Sequence, residues 1–208
     1  MHKKKFYFIV FEGVEGTGKS YQIKKLYNRL KNKKFNIIKT REPGGSNSAE
    51  KIRNLIFSKT KKQFDSLTDF FLMCASRNEH VKRLLLTAKK NKKIVICDRF
   101  VDSTHAYQVI GNKIDKKLNT LNQKYILQGL KPDLTIVLKS SLEAIFSRIK
   151  KRKKINKFDK LKIHFYKKVQ KAFLKIAKNN KNYYVFDSSK NTPDLEREIL
   201  ELVLKKLK

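Results

Sequence analysis

The sequence predicts an α/β fold: one parallel, five-stranded sheet with helices on both faces. Apolar runs of strand length recur five times, at 6–11, 35–39, 94–97, 134–138 and 183–186. Segments with helical spacing separate them, as where Ile23, Leu26, Tyr27 and Leu30 fall on one face. Strands alternating with helices imply βαβ units and hence parallel pairing. The elements follow in order. Strand 6–11 leads through a glycine-rich turn into the Ile23–Leu30 helix, and strand 35–39 ends at a Pro-Gly-Gly turn. Residues 67–86 read as one long buried helix, followed by strand 94–97. Strand 134–138 follows Pro132, and a helix over 159–178 repeats Leu161, Phe165, Val169 and Phe173 about every fourth residue. All three prolines, Pro43, Pro132 and Pro193, stand at element boundaries. No linker or repeat divides the 208 residues, so a single domain over 1–208 is expected.

Composition narrows the class. No apolar run nears the ~18 residues of a membrane span, and the first five residues lack a signal-peptide core. Cys74 and Cys97 lie in apolar segments, which suits buried thiols and a reducing, cytoplasmic setting. Fifty-one Lys+Arg against 18 Asp+Glu give a net charge of +33. So basic a chain makes nucleic acid the first partner to consider. Forty-two of the cations are lysines spread over nearly every segment, however, and Lys, Asn, Ile, Phe and Tyr share codons rich in A and T. Compositional drift on solvated faces accounts for that pattern, so nucleic-acid contact is expected only as nonspecific charge. The nine arginines are the cations suited to bidentate phosphate contacts.

The sharpest local signal is Gly13-Val14-Glu15-Gly16-Thr17-Gly18-Lys19-Ser20, a G-x-x-x-x-G-K-S phosphate loop between a strand and a helix. Its glycines let the backbone wrap a polyphosphate, and the helix offers its positive N-terminus. Lys19 is expected at the β- and γ-phosphates of ATP and the Ser20 hydroxyl on Mg²⁺. Asp98-Arg99 closes the third apolar run, placing a carboxylate where the acid orienting Mg²⁺ belongs and an arginine able to hold a second phosphate. The four histidines show no metal-ligand spacing.

The remaining motifs resemble those of the thymidylate kinase family. They are Phe11-Glu12-Gly13, Arg41-Glu42-Pro43-Gly44-Gly45, Ala49-Glu50-x-x-Arg53, Ala75-Ser76-Arg77-x-Glu79-His80-Val81, Asp98-Arg99-Phe100-x-x-Ser103-Thr104-x-Ala106-Tyr107-Gln108 and Lys131-Pro132-Asp133-Leu134. The resemblance implies a P-loop nucleoside monophosphate kinase-like fold and transfer of the ATP γ-phosphoryl to dTMP. It implies that Glu15 approaches the acceptor 3′-hydroxyl, and that Arg99 lies between the acceptor phosphate and the transferred group. Arg77 is expected at the thymine ring, Thr104 and Gln108 facing the base, and Tyr107 crowding the 2′ position. Arg41, Pro43 and Arg53 are expected on the acceptor side. A homodimer is also implied, through the 67–86 helix and its neighbour.

The basic run from Arg148 to Lys154 admits three readings: a solvated helix end, a nucleic-acid patch, or a lid over about 148–158 that closes on the phosphates. Val14, Glu15, Gly16 and Thr17 supply no cation inside the loop, so the resemblance implies a lid arginine, either Arg148 or Arg152. Two positions depart from the family pattern. Met73 stands where a phenylalanine usually stacks on thymine, and Asn156-Lys157-Phe158-Asp159 replaces the usual Asp-Arg-Phe-Glu. Met73 leaves a kinase of another nucleotide as the nearest alternative. A basic P-loop protein that binds nucleic acid is the alternative from a different class.

Overall fold

A computed structural model describes residues 5–58, 64–151, 162–189 and 192–207. Five strands, β1 (Tyr7–Glu12), β2 (Ile37–Arg41), β3 (Ile94–Asp98), β4 (Leu134–Lys139) and β5 (Tyr183–Asp187), form one parallel sheet in the order β2-β3-β1-β4-β5. Central β1 is buried at all six positions, as a strand covered on both faces must be. Its alternate residues divide the core. Tyr7, Ile9 and Phe11 face Ile23, Leu26 and Leu30 of α1 (Lys19–Asn32) and Leu195, Ile199 and Val203 of α9 (Pro193–Leu207). Phe8 and Val10 face Phe70 and Cys74 of α3 (Ser66–His80). Each fully buried ring or aliphatic side chain here contributes roughly 1.5–3 kcal/mol.

The other helices are α2 (Asn47–Ile56), α4 (Leu86–Lys90), α5 (Val101–Thr104), α6 (Lys116–Leu127), α7 (Leu142–Lys150) and α8 (Ile163–Lys178). Side chains cap α2, α3, α6 and α7, through Ser46, Asp65, Asp115 and Ser141. By contrast α1 starts at Gly18, φ 84°, without a side-chain cap, so its first-turn amides are left for a ligand.

Register levels the C-terminal edge of the sheet. Phe11 pairs with Asp98, and Asp98 with Arg41, so β1, β3 and β2 end side by side. The turns that follow them therefore meet in one crevice, where open α/β sheets bind ligands.

Three expectations need correction. Strand β2 runs over Ile37–Arg41 rather than 35–39, because Phe35 N–H is spent closing α1 on Leu30 O and the strand's edge position tolerates polar Lys39, Thr40 and Arg41. The helix read as 67–86 spans α3, a π-helical turn at Val81–Leu85 and α4. It is not buried throughout, since Leu67 and Phe71 are each 46% exposed. The helix read as 159–178 is α8, Ile163–Lys178; residues 159–161 lie outside the described residues. No helix among the described residues is long and apolar enough to cross a membrane.

Candidate active site

The loop after β1 is shaped by contacts a larger residue could not make. A Cβ on Gly13, at φ 137°, would stand 2.3 Å from the Leu138 carbonyl oxygen of β4. Lys19 Nζ curls back to donate to the carbonyls of Gly13 (2.9 Å) and Val14 (3.0 Å). Burial, and then the nearby Arg99 charge, brings its ammonium down to about 8. That is an ammonium short of counter-charge, as suits a polyphosphate site. Ser20 Oγ donates to Asp98 Oδ2 at 3.1 Å, while Asp98 Oδ1 is buried without a hydrogen-bond partner among the described residues.

Arg99 stands at the centre with φ 72°, in the left-handed region. Its Nη1 donates to Gly13 O (2.9 Å) and Ser103 Oγ (3.0 Å), and its Nη2 pairs with Glu15 Oε1 at 2.7 Å. Tyr107 OH donates to the other Glu15 oxygen. Burial raises the Glu15 carboxyl, but Arg99, Lys19 and the Tyr107 bond outweigh it and hold the group below its ordinary value. Burial, followed by Asp102, pushes buried Glu12 up to about 8, against the pull of Arg99, Ser103 and Phe100.

A cavity of about 500 Å³ opens beyond these groups, the size of a small-ligand pocket. Residues expected at the site from sequence converge on it: Glu15, Gly16, Gly18, Lys19, Ser20, Arg41, Pro43, Arg53, Met73, Arg77, Asp98, Arg99, Thr104, Tyr107 and Gln108. Gly13, Val14 and Thr17 lie behind the lining, Val14 in the apolar cluster with Ile145 and Tyr166, and Thr17 Oγ1 bonded to Val14 O. Arg53 Nη1 donates to Pro43 O at 2.6 Å, and its guanidinium lies 4.6 Å from the Phe57 ring centre. Burial depresses its basicity, and the like charges of Arg41 and Arg99 add to that. This end of the cavity carries positive charge not fully neutralised by Glu50, which pairs with Arg41 at 2.9 Å.

Arg77, also in the lining, is buried. Its Nε pairs with Glu42 Oε2 at 2.7 Å, and its Nη2 donates to Thr104 Oγ1 (2.8 Å) and Phe100 O (3.1 Å). The remaining Glu42 oxygen meets His80 Nδ1 at 2.9 Å, and His80 Nε2 meets Thr40 Oγ1 at 2.8 Å. Burial lifts the Glu42 carboxyl, but Arg77 and His80 prevail and keep it low. Gly45 permits this network, because a Cβ there would lie 2.4 Å from Thr40 Oγ1 and 2.5 Å from His80 Cδ2.

The thymidylate kinase family model matches residues 11–199. The thymidylate kinase of Mycoplasma capricolum subsp. capricolum is 36% identical over 208 residues, 97% of this chain and 96% of its own. That of Wolbachia pipientis wMel is 40% identical over 173 residues, 82% and 84% of the two chains. The crystal structure of thymidylate kinase from Ehrlichia chaffeensis matches with TM-score 0.75 and 30% identity, over 96% of this chain and 99% of that one. The chain belongs to the thymidylate kinase family.

Within this thymidylate kinase fold, one of the two lid candidates lies among the described residues. Arg148 Nη1 donates to Gly16 O (3.1 Å), and its Nη2 donates to Ser188 O (2.6 Å) and Ser189 O (3.0 Å). It braces the phosphate loop against the turn after β5 and does not line the cavity. Arg152 lies outside the described residues, as does most of the 148–158 segment.

Sequence reasoning gave no role to Glu12, Glu42, His80, Ser103 or Phe57. For Glu12 the available signal was a glutamate closing an apolar strand, since a carboxylate there is buried and must find donors. Removing Arg77 leaves Glu42 buried without its strongest partner. Arg77→Ala is expected to lower stability by about 3–5 kcal/mol, read as a lower urea midpoint at unchanged slope.

Proposed function

We propose that this chain transfers the γ-phosphoryl of ATP to dTMP, giving dTDP, with the residues around Arg99 as the reaction centre. The observation that carries this reading is the convergence of Lys19, Arg53 and Arg99 on one cavity with an excess of positive charge. In-line phosphoryl transfer needs alignment and charge neutralisation, with no covalent chemistry from the protein. The turn-and-helix start at Gly13–Ser20 holds the donor phosphates, Lys19 meets the β- and γ-phosphates, and Arg41 and Arg53 receive the acceptor phosphate. Arg99 lies between the two, and the Glu15 carboxylate accepts from the sugar 3′-hydroxyl. Tyr107, fixed on Glu15, crowds the 2′ position.

The polar atoms at Ser20 and Asp98 suit a divalent cation: a hydroxyl and carboxylate 3.1 Å apart, with the second carboxylate oxygen buried and unpartnered among the described residues. Ser20 and Asp98 would hold Mg²⁺, which supplies charge neutralisation at the phosphate oxygens. At the base end, Arg77, Thr104 and Gln108 identify the pyrimidine by hydrogen bonds, and Met73 covers its face. The two free thiols, Cys74 and Cys97, are buried and fit a cytoplasmic setting.

The same reading includes a homodimer. Leu67 and Phe71 on α3, with Leu121 and Tyr125 on adjacent α6, leave large apolar side chains in solvent at i, i+4 spacing. A second copy covers this face. Phe71→Lys is expected to shift sedimentation equilibrium from dimer to monomer; an unchanged mass would remove this face from the interface.

The activity is tested by ADP formation with dTMP, dUMP, dGMP, AMP and CMP offered separately. Turnover led by dTMP is expected, and turnover led by another acceptor would overturn the assignment of the base. Met73→Phe should lower KM for dTMP about three- to tenfold, on the order of the 0.5–1.5 kcal/mol an aromatic pair adds. An unchanged or higher KM would show that residue 73 is not the platform.

A further inference from the structure

Glu12 ends β1 fully buried, and none of the roles above employs it. Every polar neighbour of its two oxygens donates. Oε1 accepts from the backbone N–H of Phe100 (2.8 Å) and Ser103 (3.2 Å), and Oε2 accepts from Ser103 Oγ (2.6 Å). That Ser103 oxygen in turn accepts from Arg99 Nη1 at 3.0 Å. A continuous chain of hydrogen bonds therefore runs from Glu12 through one hydroxyl to the guanidinium at the reaction centre.

The segment it reaches needs holding. Arg99 occupies the left-handed region, which a non-glycine residue enters at a cost and keeps only when its surroundings fix it. Strand β1 grips the segment at several points: Phe11 O accepts from Arg99 N–H at 2.9 Å, and Glu12 takes the N–H groups of Phe100 and Ser103. Helix α5 has no side-chain cap from its own N-cap residue, Phe100, so Glu12 also supplies the acceptor for its first amides. Those bonds shape the backbone. The Ser103 hydroxyl adds something a cap does not require: it sets where Nη1 points, shared between Ser103 Oγ and Gly13 O.

We propose that Glu12 is a positioning residue for phosphoryl transfer, acting through the Ser103 hydroxyl to aim the Arg99 guanidinium. The proposal rests on the reading of Arg99 as the arginine between the two phosphates. It distinguishes two consequences of losing the carboxylate: a loosened turn, which lowers stability, and a misaimed guanidinium, which lowers kcat.

The test is a double-mutant cycle with Glu12→Gln, Ser103→Ala and both together, measuring kcat, KM for ATP and Tm. Glu12→Gln keeps the shape but sets an amide N–H₂, which only donates, against the Ser103 hydroxyl. The expected result is a fall in kcat of about tenfold or more in each single variant, with KM for ATP within about threefold. The double variant should be no slower than Glu12→Gln, because both remove the same link. Multiplying losses would show independent actions and overturn the proposal, as would a Glu12→Gln kcat within about threefold of the parent. Should Glu12→Gln fail to fold, Ser103→Ala carries the test alone: unchanged Tm with lowered kcat supports the relay, and unchanged kcat overturns it. Arg99→Lys separates the two layers. A lysine there that retains full kcat removes the reading of Arg99 itself, whereas a loss with an unaffected Glu12→Gln overturns only the positioning.

Discussion

The carbonyl oxygen of Gly13 accepts from two cations, Lys19 Nζ and Arg99 Nη1, each at 2.9 Å, and the geometry of the site depends on that shared point. One cation belongs to the phosphate-loop helix and the other to the turn after β3. A single oxygen can serve both only because β1 and β3 are neighbours whose last residues, Phe11 and Asp98, lie in register. A Cβ at position 13 would strike the Leu138 carbonyl oxygen on the other neighbouring strand. Parallel pairing, a glycine and two like charges held close together are thus one constraint. Burial depresses the basicity of Lys19, and the repulsion of like charges so near each other adds to it. The arrangement gains most from a ligand carrying several negative charges.

Buried carboxylates balance the protein side of that account. Glu15 takes Arg99, Glu42 takes Arg77, and Glu12 holds the turn between them. Buried pairs of this kind add little net stability compared with apolar packing, because desolvation offsets attraction. What they secure is direction, since a guanidinium fixed by two or three acceptors cannot swing. The distribution of cations follows the same logic. Of the nine arginines in the sequence, Arg41, Arg53, Arg77 and Arg99 line the cavity and Arg148 braces the loop behind it, while Arg29, Arg83 and Arg197 are exposed. Lysine makes up most of the basic excess, and among the described residues nearly all lysines other than Lys19 are exposed, where a point charge suffices.

Much of this was legible in the sequence because the strands are apolar on both faces and the phosphate loop has a strict spacing. The interior of β1 and the cluster of residues at the cavity needed only pattern and motif. The edges were harder. Strand β2 pairs on one side alone, so polar Lys39, Thr40 and Arg41 can belong to it and its apolar signal ends early. Helix 67–86 read as buried throughout because Leu67 and Phe71 are apolar, yet they face outward beside α6. Composition does not distinguish a core face from an exposed apolar one. The contacts of Arg148 could not be read either, since the carbonyls that engage it come from positions 16, 188 and 189, far along the chain. The acids escaped for a related reason. Glu12 and Glu42 matter through partners about 90 and 35 residues away, and no local spacing reports such pairing.

Helix phase decides what α3 can offer the cavity. A turn of 3.6 residues places 70, 73, 74 and 77 on one side and carries 71 round to another. Phe70 is spent in the core against Phe8 and Val10, and Phe71 lies 46% exposed on the outer face. Neither can reach the cavity without turning the helix, which Asp65 at its cap and the buried Arg77–Glu42 pair hold in place. Position 73 is therefore the α3 residue one turn before Arg77 that meets the cavity, and the methionine there supplies polarisable area without a ring's directional face. On the reading proposed above, recognition of the base leans on the polar side of the pocket. There Arg77, Thr104 and Gln108 are all at least 95% buried, and Arg77 and Thr104 are joined by a 2.8 Å bond that leaves little freedom to accept a base of different hydrogen-bonding pattern.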